Sequence, residues 1–306
     1  MYKECHGHKG EVLDSIDKYD VILCDNCQFT HKIPLPKQGE WDLFYYDSFY
    51  DWEDKSNYLK GTEKDRVYRD ILHEDKYLNL IEIFGDNTAH SILDIGSGSG
   101  LFIEYFKKKG WEAIGVEPSK KAADYALKKN RPTINITIEN YIRQNNKKYD
   151  VVHIREVLDN ILDPLQLIKD ISNKLLKNGG ICVVDTSNEY NPLQIAIQKL
   201  YNIEKWWLKG DTINFFNLDS LKSIYIKSGL STCHYESTFP LEMFPLMGKN
   251  YIGNTDIGKE SHLSRVTFED NLRKVGMWHT KRRLFKVFAD NNFGRNIIIY
   301  GRKENN

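Results

Sequence analysis

The amino-acid sequence predicts an α/β protein built on a mostly parallel, seven-stranded sheet with helices on both faces. Three observations predict it. From Ser91 onward, short apolar segments alternate with amphipathic ones, as expected where strands alternate with helices. A turn with glycine at positions 96, 98 and 100 directly follows the first of these strands. Hydrophobic residues make up 41% of the 306 residues, which is enough for a sizeable core.

The expected elements follow one another in a regular order. An amphipathic helix is predicted before the first strand, over residues 63–84. The predicted strands are 92–95, 113–116, 134–138, 149–154, 181–185, 231–237 and 296–301, and the predicted helices between them are 101–109, 119–129, 164–176, 192–208 and 218–228. The last two strands are expected to form an antiparallel edge pair, and residues 239–290 a helical insertion between them.

Changes in composition and the position of prolines divide the chain into three predicted regions. Residues 1–36 form a small N-terminal module that ends in the stiff connector Pro34-Leu35-Pro36. Residues 37–87 form an aromatic linker and a helical cap, and residues 88–306 form the main domain.

The N-terminal module is predicted to be a zinc-ribbon-like metal site. Cys5 and His8 form a C-x2-H pair, and Cys24 and Cys27 form a C-x2-C pair fifteen residues later. Two such pairs on tight turns can hold zinc tetrahedrally, and four protein ligands make the role of the metal structural. His6 and His31 are alternative ligands, and a plain hairpin with reduced thiols is the alternative without metal.

The segment that follows is unusually aromatic. Residues 41–52 carry tryptophan, tyrosine and phenylalanine side chains separated by acidic residues. Two interpretations are open: these rings pack the small module onto the main domain, or they form a lid over a substrate cleft.

Overall composition narrows the class of protein. Lys+Arg and Asp+Glu are both 43, so the neutral charge argues against a nucleic-acid partner. The polar N-terminus does not resemble a signal peptide, and no apolar run approaches the ~18–20 residues of a membrane span. Five cysteines without a disulfide-type pattern favour a reducing, cytoplasmic location.

The glycine-rich turn predicts a nucleotide-type cradle. Closely spaced glycines let backbone approach a ligand, and the following helix offers free N–H groups. Leu101 stands where a G-x-G-x-x-G dinucleotide site needs its third glycine, which argues against NAD. Glu117, at the end of the next strand, can accept hydrogen bonds from both hydroxyls of a ribose. Asn140, after the strand beyond, is placed to meet an adenine edge.

Together these segments resemble the class I S-adenosylmethionine (SAM)-dependent methyltransferases, which implies a Rossmann-like fold. The segments Leu93–Gly100, Gly115–Ser119, Tyr149–Leu158 and Leu176–Gly180 look like four motifs of that family, in its order. The resemblance implies that SAM is bound by Asp94, Gly96, Ser97, Gly98, Gly100, Glu117, Pro118, Asn140, Ile154 and Arg155. Asp94 would reach the ammonium group, Glu117 the ribose, and Ile154 and Arg155 the methionine end.

The general base of the transfer is left open by the sequence. Many relatives carry Glu-His where this chain has Asp159-Asn160, so a histidine base at that point is not available. The candidates are His153, Glu156 and His234, with Glu236 beside the last. As alternatives, His153 is a buried strand residue and Glu156 a helix-start or donor-binding residue.

The flanks of the domain resemble a narrower group. A cysteine-pair module before a methyltransferase domain is similar to bacterial enzymes of sugar and cell-surface polysaccharide biosynthesis, and residues 211–221 look like a segment of that group. The expected acceptor is therefore a hydroxyl of a sugar, nucleotide-sugar or surface glycan. The sugar C-methyltransferases of this group carry a further large C-terminal domain, so O-methylation is favoured. Sugar C-methylation, a non-catalytic SAM-binding module, and RNA or protein methylation are the alternatives.

The insertion over residues 239–290 carries two further expectations. Its apolar part is either a wall of the acceptor site or a packed cap or homodimer contact. Its basic part, Arg265, Arg273, Lys274 and residues 281–283, is expected to be a solvated helix face, with phosphate binding as the alternative.

Overall fold

The computed structural model describes residues 1–48, 58–86 and 88–304. The chain divides into two compact units. The first unit comprises Met1–Leu35, Asp185–Ser223 and Tyr235–Ile299. The second unit comprises Pro36–Val184, Ile224–His234 and Tyr300–Asn306.

The strands confirm the predicted fold class. They are β1 Tyr2–Cys5, β2 His8–Ile16, β3 Tyr19–Cys24, β4 Thr30–Ile33, β5 Ser91–Ile95, β6 Glu112–Glu117, β7 Thr133–Asn135, β8 Tyr149–Arg155, β9 Leu176–Ser187, β10 Asn214–Phe215, β11 Leu230–Ser237 and β12 Asn296–Lys303. Among the described residues, seven of them form one sheet in the order β11-β12-β9-β8-β5-β6-β7. β5 pairs in parallel with both β6 and β8, and β6 with β7.

The sheet order explains why helices cover both faces. The chain leaves β5 for β6 in one direction and later returns to β8 on the other side of β5. Because crossovers between parallel strands are right-handed, reversing the direction places the connecting helices on the opposite face. β5 is buried along its whole length, as expected for a central strand covered on both faces.

The edge strands run as predicted. Ser231 Oγ donates to the Arg302 carbonyl, and Cys233 Sγ to the Tyr300 carbonyl. Residue numbers rise on β11 while they fall on β12, so the two strands are antiparallel.

The helices lie close to the predicted segments, with three differences. They are α1 Gln38–Leu43, α2 Tyr58–Lys64, α3 Arg66–Phe84, α4 Leu101–Lys108, α5 Lys120–Lys128, α6 Ile138–Gln144, α7 Pro164–Asp170, α8 Pro192–Tyr201, α9 Leu218–Lys227, α10 Met243–Leu246, α11 Thr255–Lys274 and α12 Trp278–Asp290. The helix expected over 63–84 is two helices, and the one expected over 192–208 ends at Tyr201, where Asn202 adopts a left-handed φ of 48°.

The third difference concerns the segment predicted as a strand over 134–138. The strand β7 ends at Asn135, and α6 begins at Ile138. Thr137 caps this helix, because its side-chain oxygen accepts from the backbone N–H of Asn140 at 3.3 Å. Asn140 therefore lies in the first turn of a helix and not at the end of a strand.

The N-terminal module is a sheet rather than a lone hairpin. Its described strands run in the order β1-β2-β3-β4-β10, all antiparallel. β10 comes from far along the chain, and Asn214 pairs with His31 on β4. Val21 packs with Trp207, Leu208 and Phe215 in a small hydrophobic core.

The basic part of the insertion is only partly the solvated helix face that was expected, since Arg273, Lys274 and Arg283 are exposed. Lys281 on α12 is 2% exposed and forms a 2.8 Å ion pair with Glu269 on α11, which is fully buried. Arg265 and Arg282 are also buried. Because α11 and α12 pack together, part of the basic stretch faces inward and needs partners.

The aromatic segment over residues 41–52 is described only in part. Trp41 stacks on Phe44 at 5.6 Å and donates from its indole nitrogen to the Asn160 carbonyl at 2.7 Å. The end of the aromatic segment, from residue 49 to residue 52, lies outside the described residues.

None of the described helices has the length and apolarity that a membrane span requires.

Candidate functional site

The glycine-rich turn between β5 and α4 has the backbone that its sequence demands. Gly96, Gly98 and Gly100 adopt φ values of 69°, 52° and 73°, a left-handed conformation that favours glycine. A Cβ on Gly96 would lie 2.3 Å from Cγ2 of Val157. Larger side chains at Gly96 would therefore be both strained by the backbone conformation and obstructed by Val157.

Ser97 lies inside this turn with an unsatisfied side chain. It is buried, and its hydroxyl oxygen has no hydrogen-bond partner among the described residues. Gly115 on β6 makes room for it, since a Cβ there would approach the Ser97 oxygen to 2.4 Å. A buried hydroxyl without a partner fits a site that a polar ligand completes.

Glu117 at the end of β6 faces the same turn. Its carboxylate accepts from the backbone N–H of Gly98 at 2.8 Å and from that of Ser119 at 3.0 Å. Burial raises the pKa of Glu117 to about 7, although the two N–H groups oppose the shift. The nearby charge of Asp94 raises this pKa further.

Asp94 and His153 form a buried pair across β5 and β8. His153 Nδ1 lies 2.8 Å from Asp94 Oδ1, and the side chains are 2% and 6% exposed. The imidazole also stacks on Phe102, with 3.9 Å between ring centroids and 9° between planes. These contacts fix the His153 ring and orient the carboxylate, which is the buried-strand alternative weighed for His153.

Arg131 binds the backbone of the glycine-rich turn. Its side chain is 3% exposed, and Nη1 donates to the Ser99 carbonyl and to Glu63, each at 2.6 Å. Its Nε donates to Glu104 on α4 at 2.8 Å. A Cβ on Gly100 would meet the Arg131 side chain at 2.9 Å. Arg131 therefore ties the turn to carboxylates on α2 and α4.

The other residues predicted to bind SAM differ in their burial and in their distance from the strand ends. Pro118 follows Glu117 directly, and its carbonyl accepts from the Asn135 side chain at 2.8 Å. Ile154 is fully buried within β8, and Arg155 ends that strand. Asn140 is exposed in α6, away from the strand end where it was expected.

The three candidate bases are not brought together. Glu156 directly follows β8, is exposed, and adopts φ of 52°, a conformation that costs energy for a residue other than glycine. Arg155 pairs with it at 3.0 Å. His234 lies on the edge strand β11, and β12 and β9 separate that strand from β8. With a spacing of about 4.8 Å between strands, His234 is about 14 Å from β8.

The N-terminal sheet gathers a set of metal-type ligands that differs from the predicted one. His8, Cys24, Cys27 and His31 place one ligand atom each within 4.8 Å of one another. Cys5 is not in this group; its sulfur lies 3.1 Å from Nδ1 of His6. The prediction for Cys5 is corrected to His31, one of the two alternatives, because β4 pairs with β3 and brings His31 across from the C-x2-C turn.

The four groups lie close enough together to share one ion. Cys27 Sγ lies 3.3 Å and Cys24 Sγ 3.9 Å from Nδ1 of His8. His31 Nδ1 lies 3.0 Å from the Lys32 carbonyl, and its buried Nε2 has no hydrogen-bond partner among the described residues. Burial lowers the pKa of His31 to about 4, so it is the neutral imidazole that metals bind.

Comparison with known proteins decides the family. A family model for a methyltransferase domain matches residues 65–235, which is more than half of the chain. The chain belongs to this methyltransferase family.

Curated relatives of this methyltransferase carry a more specific name. The ubiquinone biosynthesis O-methyltransferase of Pelagibacter ubique (strain HTCC1062) is 33% identical over 177 residues, 55% of this chain and 70% of that protein. The protein of the same name from Aliivibrio fischeri (strain ATCC 700601 / ES114) is 33% identical over 103 residues, 32% of this chain and 44% of that protein. The methyltransferase thus spans less than half of the second relative.

Solved structures share the fold. A SAM-dependent methyltransferase from Archaeoglobus fulgidus matches with a TM-score of 0.52 and 19% identity, over 80% of this chain and 99% of that one. The plantazolicin methyltransferase BamL, solved in complex with a triazolic desmethylPZN analog and SAH, matches with a TM-score of 0.54 and 17% identity, over 87% of this chain and 97% of that one. Together with the family match, these establish a SAM-dependent methyltransferase of class I.

The sequence did not reveal every residue that shapes the methyltransferase site. Arg131 supports the turn and Phe102 the Asp94–His153 pair, and neither belongs to one of the four motifs. Their partners are distant in sequence, so spacing carries no signal for them. His31 could have been found from its position opposite a C-x2-C turn in a predicted hairpin.

Proposed function

We propose that this methyltransferase transfers the methyl group of SAM to a hydroxyl oxygen of a small-molecule acceptor. The observation that supports it is the 33% identity, over 177 residues, to a protein named as an O-methyltransferase. When bound, SAM supplies a methyl group already activated on a sulfonium sulfur. The protein has to align the two reactants and exclude competing water.

The residues around the glycine turn would hold the donor. Glu117 accepts hydrogen bonds from the ribose hydroxyls, which then replace the backbone donors that now occupy it. The Ser97 hydroxyl and the backbone of Gly96 and Gly98 bind the methionine part. Asp94, oriented by His153, accepts from the ammonium group.

The transfer is an in-line displacement. The acceptor oxygen forms a bond to the methyl carbon while the carbon–sulfur bond breaks and its electron pair stays on sulfur. The hydroxyl proton passes to a base, and Glu156 is the candidate whose carboxylate is exposed beside the end of β8. In this proposal His153 is a positioning residue rather than the base, because Asp94 and Phe102 hold its ring.

Two acceptor classes follow from different observations. The relatives' names favour a phenolic hydroxyl of a quinone precursor. The N-terminal module and the resemblance of the flanks favour a hydroxyl of a sugar or nucleotide-sugar. Both are hydroxyl-bearing small molecules, and RNA and protein are not favoured by the neutral composition.

Mass spectrometry of reaction mixtures tests the proposal. The purified protein is incubated with SAM and separate panels of catechols, quinols, free sugars, nucleotide-sugars and amines, and products are searched for the addition of CH2. A product from one panel, abolished in Glu156→Gln with SAM binding retained, is the expected result. Turnover only with amine acceptors would overturn O-methylation.

We further propose that His8, Cys24, Cys27 and His31 bind a structural zinc ion. Four protein ligands leave no open position, so the metal would stabilise the N-terminal sheet and take no part in methyl transfer. Elemental analysis of purified protein is expected to give about one zinc per chain. His31→Ala should lose most of it and Cys5→Ala should keep it; the reverse would restore Cys5 as the ligand.

A further inference from the structure

The first unit buries a carboxylate that the protein leaves unsatisfied. Glu242 follows β11 and precedes α10, and its side chain is fully buried. Neither of its oxygens has a hydrogen-bond partner of regular geometry among the described residues. Burial raises its pKa, while the Arg295 guanidinium and the backbone N–H of Glu242 itself oppose this only in part. An unsatisfied buried carboxylate is costly, so its retention calls for a reason.

Arg295 joins Glu242 to a second carboxylate. Its Nη1 lies 3.6 Å from Oε1 of Glu242 and 3.4 Å from Oε1 of Glu189, beyond ideal hydrogen-bond length in both cases. The Arg295 side chain is 34% exposed, so the group can be reached from solvent. Glu189 also accepts from the Gln194 side chain and from Arg295, whereas both oxygens of Glu242 keep acceptor capacity.

The three residues come from neighbouring strand ends. Glu189 follows the end of β9, Glu242 follows β11, and Arg295 directly precedes β12, the strand between them in the sheet. The Asn188 backbone N–H donates to the Arg295 carbonyl at 3.0 Å and fixes the two loops together. In α/β sheets, ligands bind beyond the carboxyl ends of strands, which is where the Glu189 and Glu242 loops begin.

An open cavity lies in the same compact unit as this cluster. It has a volume of about 500 Å³ and is lined by residues that include Tyr251, Lys259 and His262. Arg265 donates to His262 Nδ1 at 3.1 Å. Burial and the charges of Glu242 and Glu189 raise the pKa of Tyr251, so its phenol is a neutral donor close to both carboxylates.

We propose that Glu242, Arg295 and Glu189 form a binding site for a ligand with adjacent hydroxyl groups. Hydroxyls donate to the unsatisfied carboxylate oxygens, and Arg295 donates to a ligand oxygen in return. The identification of this ligand as the methyl acceptor rests on the proposed function above. A catechol and a sugar diol share this chemistry, so the test separates them.

The Tm of the Glu242→Gln variant, compared with that of the wild type, distinguishes a ligand site from a structural ion pair, and the measurement does not require the ligand to be known. If Glu242 serves only to neutralise Arg295, Glu242→Gln breaks a buried pair and lowers the Tm. If the carboxylate is kept for a ligand, the same substitution removes an unsatisfied buried charge, and the Tm at pH 8 stays equal or rises. Differential scanning calorimetry makes the measurement, and a clear fall in Tm overturns the proposal.

Binding provides the second readout. Calorimetry with the whole protein saturated in SAH uses catechol and UDP-glucose as separate probes. One of them is expected to bind the wild type and to bind Glu242→Gln about tenfold or more weakly, as for loss of a hydrogen bond to a charged group. Glu260→Gln, an exposed glutamate of the same insertion paired with Lys249, is the matched control and should bind as the wild type does.

The outcomes separate this site from the proposed function. Binding of either probe that weakens in Glu242→Gln, without any methylated product, upholds the site and overturns its identification with the methyl acceptor. If neither probe binds the wild type, or Glu242→Gln binds as tightly as the wild type, the hydroxyl site itself is overturned.

Discussion

Glu117 combines a buried position with a pKa of about 7. If it binds the ribose as proposed, we expect SAM binding to depend on pH. Below its pKa the carboxyl is mostly protonated and cannot accept from both ribose hydroxyls, so binding has to release a proton. The Kd for SAM is therefore expected to be about tenfold higher at pH 6 than at pH 8. Calorimetry in two buffers of different ionisation enthalpy measures both the Kd and the proton released.

Glu117→Gln provides the control for that prediction. The amide keeps one acceptor oxygen but does not titrate, so its Kd should be higher and nearly flat between about pH 6 and 8. A wild-type Kd that does not change over this range would remove Glu117 from the ribose position.

Arg131 is predicted to position the donor loop. Lysine cannot reach Ser99, Glu63 and Glu104 together, so Arg131→Lys should raise the Kd for SAM about tenfold. Arg66→Lys is the matched control, because Arg66 binds the same two glutamates without contacting the loop. Both variants should lose stability, but only Arg131→Lys should lose affinity; equal losses of affinity would assign Arg131 a purely structural role.

At the residue scale, the sequence predicted the positions of the glycines, Asp94 and Glu117 around one turn, and their role in SAM binding stays a prediction. The glycines, Asp94 and Glu117 follow consecutive strand ends, which a parallel sheet brings together. Arg131 could not be predicted in the same way, because its partners on α2 and α4 precede it by many residues and carry no motif.

Among the elements, the pair of helices α11 and α12 depends on one buried ion pair. Lys281→Ala would leave Glu269 charged and buried without its partner, and should lower the free energy of unfolding by about 3–5 kcal/mol. Urea unfolding measures it. Replacing both residues, as Lys281→Met with Glu269→Leu, should recover most of the loss; a single variant as stable as the wild type would contradict the prediction.

The elements that departed from expectation did so for local reasons. Glu139 and Asn140 were assigned to the end of a strand, but Thr137 caps a helix there. Gly179 and Gly180 lie between the predicted helix over 164–176 and the predicted strand over 181–185, and the structure includes both in β9. Gly180 is needed there because a Cβ would meet the Lys177 carbonyl at 2.9 Å. Capping and close backbone approach are weaker signals than hydrophobic periodicity.

For the whole molecule, the N-terminal module is predicted not to be autonomous. Removing residues 1–36 would uncover Trp207, Leu208 and Phe215, which pack against Val21. The shortened protein should bind the dye ANS and aggregate more readily than the full chain. A peptide of residues 1–36 should lack a stable sheet even with zinc, and a well-dispersed NMR spectrum of that peptide would contradict this.

The sequence predicted the sheet of the methyltransferase domain because periodicity and strand-end motifs act over short distances. It did not predict that Asn214–Phe215 completes the N-terminal sheet. A two-residue strand is too short to show a pattern, and its partner is set by tertiary packing. Dimerisation through the insertion stays a prediction, as does the acceptor.

Because β10 pairs with β4, the N-terminal sheet can be completed only late in synthesis. The strand that completes the N-terminal sheet leaves the ribosome about 180 residues after the one it pairs with. At roughly 5–20 residues per second, β4 waits on the order of ten seconds or longer with an open edge. Exposed strand edges invite pairing with other chains. Early capture of an ion by the two histidines and two cysteines would hold β2, β3 and β4 together during that interval.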